Sequence, residues 1–386
     1  MSQTVHSAAY HTVRSPARLL AGILAAALLL GLSGCATPPP EEAIKLVWPA
    51  PPLPKRIEFV RSIYGERDVT EDNTFKPDLV DFLSGKKPPE NRITEPMGLA
   101  VSDDGERLYV ADFVQMAVYE FDFGKKKFSK INKDRELERP AGIALDADGI
   151  IYVVESDKKG ISVMNREGKE LRFISDPSIS RPTGIAIDRK RQRIYLCDTA
   201  HNKDAEHTVK VFDLQGKLLG AIGKDKGSEP GQFLFPTYVT LDQAGNVYVT
   251  DTLNSRIQKF SPDGKYLTKY GERGSGWGMF DKPKGTALDS YGNLYAVDSG
   301  WSNVQIFNDK QQILLFFGGR GGIPGLLGNP TAIAIDKNNK IYVGDSLNHR
   351  IEIYQLVNTG AEDSHLTPPP QPGKTAAEPP KKKPGA

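Results

Sequence analysis

The densest run of metal-ligating residue types is Asp198, His201, Asp204, Glu206 and His207. Imidazoles and carboxylates are the groups from which a protein builds a zinc site, so His201 and His207 are the metal candidates. A single loop supplies both, whereas a rigid site draws ligands from several elements; a solvated insertion is the simpler reading. A second set of acids is dispersed: Asp112, Glu155, Asp198, Asp251, Asp298 and Asp345 each stand three residues after a tyrosine (Tyr109, Tyr152, Tyr195, Tyr248, Tyr295 and Tyr342). Six carboxylates on six like elements could ring a metal ion. Alternatively each caps backbone N–H groups at a turn, which needs no ligand. No nucleophile stands at motif spacing from a base, so no catalytic residue is assigned. No cofactor motif appears, and no cofactor is expected.

A third group has recognition chemistry. Arg139, Arg181, Lys282 and Lys284 flank a series of prolines, and Tyr238 and Trp301 lie in the same register. Arg, Trp and Tyr bury much area for few rotamers lost, so these six residues form the candidate binding face. Tyr238 occupies a position held by Gly or Ala in five other places. Two readings stay open for it: a packing change between strands, or a ring turned toward a channel mouth. The formal net charge of +2 gives no electrostatic footprint for nucleic acid.

The elements that must position these groups repeat. Pro96, Pro140, Pro182, Pro236, Pro283 and Pro330 recur at intervals of 44, 42, 54, 47 and 47 residues. Each opens an alternating run, followed by a polar turn such as DADG, DQAG or DSYG and a Tyr-containing branched run. Four short strands fit each interval. Six such units read as an all-β, six-bladed β-propeller over residues 54–357. Gly142 and Ala144, Gly184 and Ala186, and Gly285 and Ala287 give one small face to each first strand. That face admits the bulky face of the adjacent blade. Blade six lacks a fourth strand of its own after Ile351–Leu356. Arg56–Tyr64 resembles Lys265–Tyr270, so the N-terminal strand is expected to complete the last blade. Cys197 falls in the strand Ile194–Cys197, where a small buried hydrophobe is its expected role.

The ends of the chain carry an address. Residues 1–34 hold no Asp or Glu, and Arg14 and Arg18 precede the apolar run Leu19–Leu32. This is the pattern of an export signal. It ends in Leu32-Ser33-Gly34-Cys35, which resembles a bacterial lipobox. The resemblance implies cleavage before Cys35, lipidation of Cys35, and, with Ala36 following, an outer-membrane lipoprotein facing the periplasm. Residues 35–53 are proline-dense and read as a tether with a reach of about 60 Å. Residues 358–386, rich in Pro and Lys, read as a disordered tail.

The stretches Asp251-Thr252-Leu253-Asn254-Ser255-Arg256-Ile257 and Asp345-Ser346-Leu347-Asn348-His349-Arg350-Ile351, and the linkers Gly231-Gln232-Phe233-Leu234-Phe235-Pro236 and Gly278-Met279-Phe280-Asp281-Lys282-Pro283, resemble the NHL-repeat family. Four repeats depart from the Asn-x-Arg signature, for example at Gln115 and Lys159. Some NHL-like propellers are amidating lyases with zinc held by histidines from several blades, and related hydrolases hold calcium in the channel. Here only His201, His207 and His349 lie in the repeats, and two share one loop. The resemblance therefore implies a binding or scaffold propeller for a protein or polysaccharide partner, not for nucleic acid. The alternative it leaves is a metal-dependent envelope hydrolase or lyase working at the channel.

Overall fold

The computed structural model describes residues 46–70, 92–200, 206–223 and 225–360. Among them the chain is nearly all β, with one helical turn, Arg67–Thr70, and one 3-10 turn, Thr252–Asn254. Five sheets have four strands each and one has five. Each sheet is an antiparallel meander, a blade of a six-bladed propeller. The innermost strands are Pro96–Val101, Pro140–Leu145, Pro182–Asp188, Pro236–Leu241, Pro283–Leu288 and Pro330–Ile335. The repeat prolines therefore mark where each blade begins, as the spacing predicts.

The first-strand glycines are explained by contact. A Cβ on Gly98 would lie 2.2 Å from the carbonyl oxygen of Ala141, and one on Gly142 would lie 2.5 Å from that of Thr183. On Gly184 it would stand 2.6 Å from the Thr237 oxygen. Adjacent inner strands approach backbone to backbone, and only hydrogen fits there. Outward from that contact the blades are wedged apart by the repeat tyrosines. Tyr109, Tyr152, Tyr195, Tyr248, Tyr295 and Tyr342 are all buried, between the branched residues of neighbouring sheets. Cys197 is fully buried in the same layer beside Val209 and Val239, and burial raises its thiol pKa. It is a core residue.

Closure follows the expected route. Ile57–Ile63 pairs antiparallel with Arg350–Leu356, from Ile57 opposite Leu356 to Ile63 opposite Ile351. Both isoleucines are fully buried. The sheet also extends further back than residue 54. Val47–Trp48 pairs with Ile57–Glu58 as a fifth strand, and the Trp48 ring packs 6.0 Å from Phe317 and 5.8 Å from Tyr354. A proline-dense composition disguised this strand, because the only residues that make the contact are two apolar ones between prolines. Cys35, the tether up to residue 45 and the tail beyond residue 360 lie outside the described residues.

The two rims differ. Turns joining first to second strands are tight and self-satisfied: Asp146 accepts N–H bonds from Asp148 and Ile150, both at 2.9 Å. Asp242, Asp289 and Asp336 do the same in blades four, five and six. DADG is thus a turn, not part of a calcium loop. The turn between Val47–Trp48 and Ile57–Ile63 meets the residues after Leu356 on this rim, where Asn358 donates to the Lys55 carbonyl and Tyr291 to that of Thr359; Leu46 lies instead against Gly325 in the loop leading to blade six. The opposite rim carries the connections between second and third strands and between blades.

Candidate binding face at the channel mouth

The six dispersed acids converge on one structural task. Asp112 accepts from the N–H groups of Thr94 and Glu95, at 2.6 and 3.1 Å. Asp198 accepts from Ser180 and Arg181 at 2.9 and 2.7 Å, and Asp345 from Gly328 and Asn329 at 2.7 and 2.9 Å. Glu155 and Asp251 take the N–H groups of Glu138 and Leu234, each at 2.7 Å. Asp298 holds four: Asp281, Lys282, Gly300 and Trp301. Every one of these carboxylates is buried and binds the loop that leads into its own blade. They pin backbone and face no common centre. The capping reading holds.

The residue after each acid completes the pattern. Phe113, Ser156, Thr199, Thr252, Ser299 and Ser346 donate their N–H groups to the carbonyls of Glu95, Arg139, Arg181, Phe235, Lys282 and Asn329. Each acceptor is the residue before a repeat proline. The mouth of the channel is therefore bordered by six side chains in fixed register, three of them cations. Sequence reasoning found Arg139, Arg181 and Lys282 there and missed Glu95, Phe113 and Phe235. The same proline register would have located Glu95 and Phe235.

These side chains pair across blades. The Arg139 guanidinium lies 5.3 Å from the Phe113 ring centre and 3.2 Å from the Asp157 carboxylate. Arg181 lies 5.5 Å from the Phe235 ring centre. Such contacts hold an arginine outward at a cost of little entropy and contribute about 0.5–1 kcal/mol at exposed sites. Lys282 is exposed, and Lys284 is half-buried one strand position inward. Burial lowers the Lys284 pKa; the nearby Glu95 charge opposes this and Lys282 adds to it. Trp301 is 43% exposed, its indole N–H donating to the Gly274 carbonyl at 3.2 Å.

Tyr238 decides the form of the channel. Its hydroxyl donates to the carbonyl of Met97 at 2.6 Å. Met97 belongs to blade one, opposite blade four in the ring, so the phenol spans the channel. It does not pack between blades. Burial raises its pKa. A cavity of about 300 Å³ extends from Tyr238 toward Arg189 on the other rim. Its lining is the inner strands themselves, such as Leu99, Ile143, Val239 and Ile333, with hydroxyls from Thr240 and Thr286. No Asp, Glu, His or Cys lines it. The donor set does not suit calcium or zinc.

The histidine candidates separate. His207 is 5% exposed, its ring 6.1 Å from that of Phe235. Burial lowers its pKa, and Lys226 lowers it further. His201 lies outside the described residues. Among the described residues no group of three or more His, Cys, Asp or Glu could hold a metal ion. His349 contacts the Thr94 carbonyl at 2.5 Å and ties blade six to the lead-in of blade one.

The Asn-x-Arg signature is structural as well. Arg256 reaches the carbonyls of Ser228, Glu229 and Gln232, and Arg350 those of Gly322, Ile323 and Leu326. Asn254 and Asn348 bind the Gly227 and Gly321 carbonyls, each at 2.9 Å. Each motif clamps a long inter-blade loop from below. The NHL-repeat family model matches residues 233–260 and 327–354, the two blades built this way. The chain is a six-bladed β-propeller in which two blades match the NHL repeat. Residues 84–197 also match the SMP-30/gluconolactonase/LRE-like region.

Relatives share parts of it. Peptidylglycine alpha-amidating monooxygenase of Rattus norvegicus is 30% identical over 134 residues, 33% of this chain and 12% of that protein. The matched stretch of this chain thus spans about an eighth of that relative's length. Among solved structures, a gluconolactonase from Xanthomonas campestris superposes with a TM-score of 0.54 at 17% identity, covering 68% of this chain and 86% of that one. A catalytically inactive virginiamycin B lyase from Staphylococcus aureus, solved with quinupristin, gives 0.51 at 17% identity, covering 71% and 88%. At such identity the likeness is one of fold.

Proposed function

We propose that this NHL propeller is an envelope lipoprotein that binds a protein or polysaccharide partner through the rim bearing Arg139, Arg181, Tyr238, Lys282, Lys284 and Trp301. One observation carries the reading: the six repeat carboxylates of this rim are buried and hold backbone, while Arg181, Lys282 and Trp301 beside them are exposed. Anchoring through Cys35 has its own test. Cys35→Ser is expected to move the protein from the membrane fraction to the soluble periplasm; unchanged fractionation removes the anchor from the proposal. For binding, Trp301→Ala with Arg181→Ala is expected to leave the melting temperature unchanged and reduce crosslinked partner roughly tenfold. Full recovery of partner in that stable variant places the face elsewhere.

The SMP-30/gluconolactonase-like match over residues 84–197 supports a second reading, a hydrolase or lyase working at the channel. A cavity walled by inner-strand backbone and aliphatic residues, with Tyr238 across it, weighs against a channel metal. Metal analysis of the EDTA-washed full chain separates the two. A tightly held stoichiometric ion would favour the enzyme.

A further inference from the structure

We propose that the rim over blades three to six docks a protein that presents carboxylates beside apolar side chains; this rests on the binding role proposed above and chooses its partner class. Two independent observations meet on that arc.

The first is apolar exposure. The turns between second and third strands present Leu253 in blade four, Trp301 in blade five and Leu347 in blade six, 49%, 43% and 65% exposed. Ile323, in the loop leading to blade six, is 58% exposed. On the turns of the opposite rim, among the described residues, Leu53 and Tyr291 are the large exposed hydrophobics, and the Tyr291 hydroxyl donates to the Thr359 carbonyl. Three successive blades thus expose a large apolar side chain in the connection between second and third strands. Scattered single hydrophobics are ordinary on a surface; their recurrence in one kind of connection on three neighbouring blades is what this rim offers an apolar partner.

The second is unpaired positive charge. Several arginines of the propeller are held by carboxylates: Arg135 by Glu155, Arg139 by Asp157, Arg191 by Asp188, and Arg256 by Asp251. Arg181 has the Phe235 ring, and no carboxylate among the described residues lies within ion-pair distance of Arg181 or Lys282; Lys284 has the Glu95 charge nearby. These three cations stand on blades three and five, either side of Phe235 and Tyr238 on blade four. Holding like charges on a partly dehydrated rim is unfavourable, and a carboxylate brought by a partner relieves it.

The juxtaposition selects a protein. An acidic polysaccharide would satisfy the cations but leave Leu253, Ile323 and Leu347 in water. A neutral sugar would use an aromatic face and ignore the charge. A protein surface with Asp or Glu near the centre and aliphatic residues toward blade six satisfies both. Affinity then comes from the apolar arc, and orientation from the cations.

Site-directed photo-crosslinking of the full chain in the cells that make it tests this, with p-benzoylphenylalanine at Leu347, or at Lys265 on the opposite rim. The expected result is an adduct from 347 and none from 265, digested by protease and untouched by polysaccharide hydrolases. Arg181→Glu with Lys282→Glu, and separately Leu253→Ser, are each expected to lower its yield roughly tenfold with the melting temperature unchanged. An adduct digested only by polysaccharide hydrolases, or one indifferent to charge reversal, overturns this inference while leaving the binding role standing. An adduct from 265 alone overturns the choice of rim. Absence of any adduct from either position overturns the binding role itself.

Discussion

Asp298 illustrates how little of the conspicuous chemistry is free to react. Its carboxylate is fully buried and accepts four backbone N–H groups at 2.8–3.2 Å. Asp298→Ala would leave those donors without an acceptor in a site closed to water. A loss of about 3 kcal/mol is expected, read as a lower urea midpoint, because hydrogen bonds to charged groups are the expensive ones to break. A loss under about 0.5 kcal/mol would mean the carboxylate is not a structural cap. The Tyr238 hydroxyl is the opposite case, one bond spanning a channel. Tyr238→Phe keeps the ring but removes the 2.6 Å bond to Met97. A loss of about 1 kcal/mol is expected in the same experiment. Identical midpoints would show that water replaces the contact at no cost.

The closing strand is where one element governs the ring. Ser62, on that strand, donates to Glu352 at 2.6 Å, and Arg350 approaches the same carboxylate at 2.5 Å. Glu352 is fully buried, and burial pushes its pKa up to about 7 despite Arg350 and Ser62. A carboxyl whose folded pKa exceeds its unfolded value holds a proton in the native state across that interval. Its contribution is therefore present below pH ~4.5 and is lost as pH rises toward 7, by on the order of 3 kcal/mol. Glu352→Gln is expected to flatten the fall in stability between pH 5 and 7 in urea titrations. An unchanged slope would assign the pH dependence to other groups. Truncation separates the two N-terminal strands. A chain beginning at Glu66 lacks Ile57–Ile63, exposes the edge of Arg350–Leu356, and is expected to aggregate. A chain beginning at Leu53 keeps that strand but loses Trp48 from its contacts with Phe317 and Tyr354. It should fold and lose about 2 kcal/mol relative to one beginning at Leu46. Equal melting of the last two would mean the Trp48 strand contributes nothing.

At the scale of the whole molecule, the propeller separates duties between its rims. One rim carries the tight Asp-capped turns, and the other collects the inter-blade loops, the exposed cations Arg181 and Lys282, and the exposed Leu253, Trp301, Ile323 and Leu347. The double variant Trp301→Ala with Arg181→Ala tests that division, because neither side chain supports the core. Six blades, their order and the closing strand were legible in the chain because each rests on local periodicity. Alternation decides strands, Asp-Gly turns decide hairpins, and the proline interval decides the repeat. The recurrent acids were legible as caps for the same reason, since one acid at one turn position in six like units has a local explanation. Trp48 was hidden, because a two-residue strand among prolines has no periodicity to read. The stacking of Arg181 on Phe235 was equally hidden: those residues are 54 positions apart and meet only when adjacent blades close. The course of Tyr238 depends on blade one standing opposite blade four, a relation that exists only in the ring. Sequence thus determined the strands, the repeat and the small residues that let strands approach, all governed by neighbours in the chain. The tertiary structure alone decided which carboxylates are consumed by backbone, which cations stay unpaired and what crosses the channel, because burial and charge pairing depend on groups that the chain keeps far apart.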